Sequence, residues 1–485
     1  MADQAPFGNM FDLQAMLANW QALWQVNNRV HDLLWTRQLG EAAVGQRQHQ
    51  RLAELIDYAR SNSPLYRDLY RQLPEQVDEI EGLPVTGKAQ LMAEFDRWVT
   101  DTRITRSGVE SFVQDPQQIG KLFLDEYAVW RSSGSSGVPG IFLHDRKAIE
   151  VYDALVGVQM RSFDQIARYS MGLVSGAGRS ALVVAIDGHF ASVATARRLQ
   201  QSNPLLSLRT FSVALPLDSL VAQLNEYQPA FLSSYPTALS LLAQAQQAGQ
   251  LKIRPVSIWS GGEFLSDAAR ALMESAFECP LINEYGTSEC LSIAFGCRHG
   301  WIHVNSDWVI LEAVDRSYRP VRPGEVSHTV LLTNLANRAA PIIRYDLGDS
   351  VILKPGRCEC GSHLPAIQVE GRRDDVLGLR RADGTTAMLL PLAIASAVES
   401  ASDVHRFQIL QTGPEKLALR IEARNGKSRK AAWLAARAAL RDFLGVHGLD
   451  QVAISLDPQA PTPDAASGKL HAVVALNPRV PRARD

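Results

Sequence analysis

The sequence predicts an α/β fold with a large N-terminal body and a small α+β unit at the C-terminus, and three stretches carry that expectation. Between about residues 120 and 300, short β-rich runs (Leu182 to Ile186, Phe231 to Ser234, Val256 to Trp259) alternate with helical patterns (Leu217 to Glu226, Ala238 to Gln247). That alternation is the signature of mainly parallel strands joined by crossover helices. Residues 300 to 370 become β-rich and punctuated by proline and glycine, as in a smaller antiparallel subdomain. Beyond residue 375, Leu389 to Ser400 and the Ala-rich Ala431 to Leu444 read as helices around the β-like Phe407 to Gln411 and Leu417 to Glu422.

Taken in order, residues 10 to 60 open the chain with apolar residues at helical spacing, among them Leu13, Leu17, Trp20, Leu23, Trp24, Val30, Leu33 and Leu34, then Leu52, Leu55 and Ile56. The tryptophans are expected to pack into the core, as helical aromatic stripes usually do. Lys121 to Trp130 and Ile141 to Leu143 read as short strands flanking a loop. The charged Gly371 to Asp375 reads as the joint before the small unit. The expected division is a helical extension over 1–45, a large body over 46–371 and a small mobile unit over 372–485.

Composition bounds the function. Of 485 residues, 49 are Lys or Arg and 51 Asp or Glu, so no basic excess points to nucleic acid. The most apolar runs, such as Ser180 to Ile186 and Thr329 to Leu332, are far too short to span a bilayer, and the N-terminus lacks a signal peptide's charged and apolar regions. A soluble cytoplasmic protein acting on a small ligand is expected. Five cysteines in so long a chain make no disulfide framework.

The loop between the two early strands is Ser132-Ser133-Gly134-Ser135-Ser136-Gly137-Val138-Pro139-Gly140. Glycines let backbone N–H groups approach phosphate oxygens, and serine hydroxyls add neutral donors. Taken alone the run is equally a solvated turn. It is not a Walker loop, because Gly137 is followed by valine rather than Lys-Ser or Lys-Thr. Further on lies Asn283-Glu284-Tyr285-Gly286-Thr287-Ser288-Glu289, where Tyr285 suits a purine face, Thr287 a phosphate and Glu289 a magnesium ion. In Arg344-Tyr345-Asp346-Leu347-Gly348-Asp349 the last aspartate suits a ribose diol, and Gly371-Arg372-Arg373-Asp374-Asp375 opens the small unit. Each of these alone is also compatible with a surface turn bearing salt bridges.

In this order the motifs resemble those of the adenylate-forming ligase superfamily, and more closely its phenylacetate-CoA-ligase-like branch. Branch-like phrases are Tyr58-Ala59-Arg60-Ser61-Asn62-Ser63-Pro64-Leu65-Tyr66-Arg67, Ser234-Tyr235-Pro236, Ser260-Gly261-Gly262-Glu263 and Pro341-Ile342-Ile343-Arg344-Tyr345. The resemblance runs from about Gln46 to Ser467-Gly468-Lys469. It implies that Ser132, Ser133, Gly134, Ser135, Ser136 and Gly137 wrap the ATP phosphates. Tyr285 would line the adenine pocket, Glu289 would bind Mg²⁺ with Thr287 beside it, and Asp349 would hold the ribose. Arg372 would place the nucleotide, Asp374 would be the hinge and Lys469 the lysine that acts in adenylation. The acid would sit near Tyr235, Gly261, Gly262, Glu263 and Gly286. The implied reaction activates a carboxylic acid, by family weight an aromatic one, as an acyl-adenylate with release of pyrophosphate. Transfer to a thiol then follows. The segment Leu377 to Met388 departs from the family pattern in the region serving that second step, so coenzyme A and an acyl or peptidyl carrier protein stay open as acceptors, as do an amine or hydroxyl nucleophile and a homodimeric state. A non-catalytic, zinc-stabilised nucleotide-binding protein is the alternative of another class.

Cys358 and Cys360, with Cys297 and His303 upstream, form two half-sites of a four-ligand structural zinc pattern, and members of this branch can carry such a site. His299 could replace His303, and Cys290 could replace Cys297.

Overall fold

The computed structural model describes residues 13–475 apart from 76, 78, 133–139, 161–166, 168, 169, 171, 173–177, 187, 203–206, 264, 370–376, 390, 400, 402, 424–427 and 463–471. The helical entry is realised as α1 (Leu13–Gln38) and α2 (Glu41–Asn62). Gly40 separates them at a φ of 94°, a backbone region open to glycine. Val30 and Leu33 of α1 are buried, but Trp24 and Trp35 are 65% and 63% exposed, which corrects the expectation of tryptophans in the core. The cause is helical geometry: at 3.6 residues per turn, Val26, Val30, Leu33 and Arg37 share one side while Trp24 and Trp35 share the opposite one. Only the first side meets the body, where Arg37 pairs with the fully buried Asp307 at 2.8 Å and Arg29 with Glu150 at 2.9 Å.

The strands β1 (Ala128–Arg131) and β2 (Ile141–His144) pair antiparallel, so the serine-rich run does connect a hairpin. The strand part is shorter than Lys121 to Trp130, because Leu124 and Asp125 adopt positive φ in a tight turn closed by the Phe123–Tyr127 bridge. The alternating segment gives β3 (Ser180–Val184), β4 (Leu208–Ser212), β5 (Phe231–Ser234), β6 (Ser257–Gly261) and β7 (Leu281–Tyr285), all parallel, in the order β4-β3-β5-β6-β7. Helices Leu217–Tyr227, Pro236–Gln247 and Asp267–Phe277 connect them.

The β-rich segment divides. β8 (Ala294–Gly296), β9 (Ile302–Val304), β13 (Val351–Leu353) and β14 (Ala366–Val369) extend the parallel sheet antiparallel to nine strands, ending β7-β8-β9-β14-β13. β10 (Val309–Val314), β11 (Thr329–Asn334) and β12 (Tyr345–Asp346) form a separate antiparallel sheet. At the C-terminal end, β15 (Leu377–Arg380) and β16 (Thr386–Leu389) make a hairpin, and β17 (Val404–Gly413), β18 (Lys416–Ala423), β19 (Ala453–Leu456) and β20 (Val473–Val474) make a four-stranded sheet. Helices Pro391–Glu399 and Arg429–Val446 pack with this unit through buried residues such as Ile394, Val398, Leu440 and Leu444. Among the described residues, no helix is long and apolar enough to cross a membrane.

Candidate active site

The residues expected around Tyr235, Gly261 and Tyr285 lie at the carboxyl ends of three adjacent parallel strands, where open α/β sheets bind ligands. Tyr235 follows β5, Gly261 ends β6 with Gly262 and Glu263 after it, and Tyr285 ends β7 with Gly286, Thr287 and Glu289 after it. Gly286 is required by close approach: a Cβ there would lie 1.8 Å from the Leu291 carbonyl oxygen. Gly262, at a φ of +82°, lies against the Tyr235 ring.

The turn carrying Thr287 and Glu289 is held by a hydrogen-bond network. Trp130 Nε1 donates to the Ser288 carbonyl at 2.8 Å, and His144 Nε2 lies 3.0 Å from the same oxygen. The carbonyl only accepts, so His144 carries its proton on Nε2 and accepts the Tyr152 hydroxyl at Nδ1, 3.0 Å away. Asn334 Nδ2 donates both to the Tyr152 oxygen at 2.7 Å and to the Glu289 carbonyl at 3.0 Å. Burial pulls His144 down to about 3, so the ring stays neutral as this network requires.

The Tyr345 hydroxyl donates to Glu289 Oε1 at 2.8 Å. Glu289 is buried, and its Oε2 has no hydrogen-bond partner among the described residues. The Tyr285 hydroxyl donates to Asp349 Oδ2 at 3.0 Å, joining the residues implied for adenine and for ribose. Ser132, the first residue of the serine run, accepts the Gly140 N–H at 2.8 Å, and Lys88 Nζ reaches its hydroxyl at 3.5 Å. Ser133, Gly134, Ser135, Ser136 and Gly137, together with Arg372, Asp374 and Lys469, lie outside the described residues.

Two of the residues expected near the acid also have structural partners. Glu263 Oε2 accepts from Thr237 N at 3.1 Å and Thr237 Oγ1 at 2.7 Å, capping the helix Pro236–Gln247. Tyr235 is half-buried, with its hydroxyl toward Ser192 and Ala185, and desolvation pushes that hydroxyl up to about 12. Residue types and spacing missed Lys88, Tyr345 and Glu284. Glu284 Oε2 accepts the Trp259 indole N–H at 2.8 Å and Oε1 the Ser292 hydroxyl at 3.0 Å, and burial raises this carboxyl to about 7. Tyr345 and Glu284 stood within motifs; Lys88 is joined to the site by the fold alone.

The four residues named for zinc come together in a group that could hold a metal ion. Ligand atoms of Cys297, His303, Cys358 and Cys360 all lie within 4.8 Å of one another. Cys297 Sγ is 3.8 Å from Cys358 Sγ, the edge of a tetrahedron with Zn–S bonds of about 2.3 Å. Cys360 Sγ is 3.2 Å from His303 Nε2, while His303 Nδ1 lies 3.0 Å from the Leu364 carbonyl, which fixes the tautomer with Nε2 toward the sulfur ligands. The alternatives are not used: Cys290 is buried beside Thr287, and His299 is exposed beside Arg298.

Among solved structures, a 2-hydroxyisobutyryl-CoA ligase in complex with 2-HIB-AMP and CoA in the thioesterification state superposes with a TM-score of 0.51 at 19% identity, covering 89% of each chain. The same ligase in its postadenylation state with R3-HIB-AMP gives 0.51 over 90% of this chain and 89% of that one. The fold is that of the adenylate-forming enzymes. In sequence, 349 residues are 22% identical to the phenylacetate-coenzyme A ligase of Thermus thermophilus, spanning 69% of this chain and 71% of that protein. A 136-residue stretch is 27% identical to protein CapK of Staphylococcus aureus, which is 28% of this chain and 29% of CapK, less than a third of either. No protein-family profile matches the chain. In this fold the Thr287–Glu289 turn follows the middle strand of the nine, bonded to Trp130 of β1 through the Ser288 carbonyl, and Tyr285 ahead of the turn bonds Asp349.

Proposed function

We propose that this protein is an AMP-forming acid–thiol ligase that activates a carboxylic acid with ATP and passes the acyl group to coenzyme A. The observation that carries the reading is the Tyr285–Asp349 hydrogen bond, beside a Glu289 whose second carboxylate oxygen has no protein partner among the described residues. Tyr285 and Glu289 share one motif and Asp349 belongs to another, 64 residues beyond Tyr285, and the bond that joins the two motifs supports a nucleotide site.

The substrate carboxylate attacks the α-phosphorus of ATP, a P–O bond forms, and the bond to the bridging oxygen breaks to release pyrophosphate. The difficulty is negative charge meeting negative charge, so the protein's work is neutralisation and orientation. Lys88 and the Ser132 hydroxyl stand where the serine run begins, and Lys469 supplies a second cation. Glu289 and the Thr287 hydroxyl form an oxygen donor set suited to Mg²⁺, which would neutralise phosphate charge. A thiol sulfur then attacks the acyl carbon, and AMP leaves. The acid is assigned to the aromatic class, with Tyr235, Gly262 and Gly286 as pocket wall. Residues 372–485 act as the moving unit with Asp374 as hinge, residues 46–371 as the ATP- and acid-binding body, and residues 1–45 as an extension. Zinc at Cys297, His303, Cys358 and Cys360 is structural, since four protein ligands leave no open position.

The test is ATP–pyrophosphate exchange over a panel of aromatic, aliphatic and amino acids, followed by product mass with coenzyme A. Acid-dependent exchange and a coenzyme A thioester are expected. Exchange without that thioester transfers the acceptor role to a carrier protein or another nucleophile, and no exchange with any acid despite ATP binding overturns the ligase reading.

A further inference from the structure

A cavity of about 610 Å³ lies between α1, α2 and the start of the helix Arg146–Gln159. Five cationic side chains line it: Arg29, Arg47, Arg51, Lys147 and Arg338. Only two carboxylates do, Asp32 and Glu54, and Asp32 is shared by Arg47 at 2.9 Å and Arg51 at 3.6 Å. Glu54 is 3.2 Å from Arg338, and Arg29 turns to Glu150. Lys147 has no ion-pair partner among the described residues, although it is half-buried. It also sits in the first turn of its helix, where the backbone dipole disfavours positive charge. Burial, then Arg338 and Arg29, lower its pKa. Glu54 and Asp145 offset this only in part, and a half-buried cation among more cations than carboxylates gains from a further negative group.

We propose that this cavity is a binding site for a small multivalent anion of phosphate chemistry, held by Lys147 and the surrounding arginines. Guanidinium forks match phosphate oxygens two at a time. Arg51 is pre-oriented, with its guanidinium 3.5 Å from the centroid of the Trp308 ring. Gln25, Asn28 and Gln50 add neutral polar groups. The volume exceeds what a bare phosphate needs and falls in the range of small-molecule sites. The proposal does not rest on the ligase reading.

The test reads Lys147 directly, which keeps it separate from any anion bound at the other site. The full-length protein is labelled with acetic anhydride at low ionic strength, and peptide mass gives the labelling rate of Lys147 against the exposed Lys252 and Lys416. Inorganic pyrophosphate and ADP are the probes. Either should slow Lys147 selectively, and in Arg338→Gln the protecting concentration should rise about ten-fold, as for loss of one charged hydrogen bond. Protection by both probes assigns the site to the diphosphate group, by ADP alone to a phosphate ester, and by pyrophosphate alone to the inorganic anion. No protection by either, protection matched by sodium chloride at equal ionic strength, or protection unchanged in both Arg338→Gln and Arg47→Gln overturns the proposal.

Discussion

Burial beside Trp259 and Ser292 raises the Glu284 carboxyl from its ordinary 4.5 to about 7. The folded chain keeps this proton through a window in which the unfolded chain has released it, so stability falls as pH rises from 4.5 to about 7. The loss is at most about 3 kcal/mol. His144 has the opposite slope: burial lowers it from 6.5 to about 3, so its contribution is present above 6.5 and is lost as pH falls toward 3. Glu284→Gln should therefore remove the decline on the alkaline side and leave the acid side intact, read as unfolding free energy in urea across pH. An unchanged profile would show that Glu284 ionises as an ordinary carboxyl. Lys88→Ala should raise KM for ATP about ten-fold, the worth of one charge-assisted hydrogen bond, with the fold preserved. An unchanged KM would remove Lys88 from the phosphate site. Tyr285, Glu289 and Asp349 were legible from their motifs because each motif packs its chemistry into a few residues. Lys88 was not, since its nearness to Ser132 is made by folding across 44 positions.

At the scale of elements, the metal cluster was legible because Cys358 and Cys360 are close in sequence and Cys297 and His303 belong to one hairpin, β8–β9. The choice between His303 and His299 was not, because it depends on which residue's side of that hairpin faces the loop before β14. On the structural reading, metal analysis should find about one zinc per chain. Replacing Cys358 and Cys360 together by serine should remove it and lower Tm, while a metal-free native protein of full stability would end the zinc assignment. The exposed face of α1 was misread for a related reason: apolar residues on two sides of a helix give no sign of which side finds a partner. The docked side carries Val30, Leu33 and the pairs Arg29–Glu150 and Arg37–Asp307, and the Asp307 side chain is fully buried. Arg37→Ala leaves that carboxylate unpaired, which should cost about 3–5 kcal/mol. Limited proteolysis near Gly40 should accelerate in step. A loss under about 1 kcal/mol would mean that α1 docks through its apolar residues and Arg29–Glu150 instead.

For the whole molecule, the parallel sheet was readable from its alternation of strands and helices, whereas the recruitment of β8, β9, β13 and β14 to the same sheet was not, because strand partners carry no local signal. On the proposed reading the nucleotide residues Tyr285, Glu289 and Asp349 precede residue 372, while Lys469 comes shortly before β20 in the sequence, and β20 pairs with β17. If adenylation needs the lysine's charge on the developing pyrophosphate, Lys469→Ala should cut acid-dependent ATP–pyrophosphate exchange by about 10²- to 10³-fold, the effect of removing one transition-state donor. ATP binding should change little, because the cradle for the nucleotide remains. Conversion of supplied acyl-adenylate to thioester should also persist, since sulfur attacking a carbonyl with AMP as leaving group forms no pyrophosphate for the lysine to neutralise. The two half-reactions therefore separate the causes. Loss of exchange alone assigns Lys469 to adenylation, equal loss of both assigns it to the stability of the C-terminal sheet, and full retention of both removes it from the chemistry.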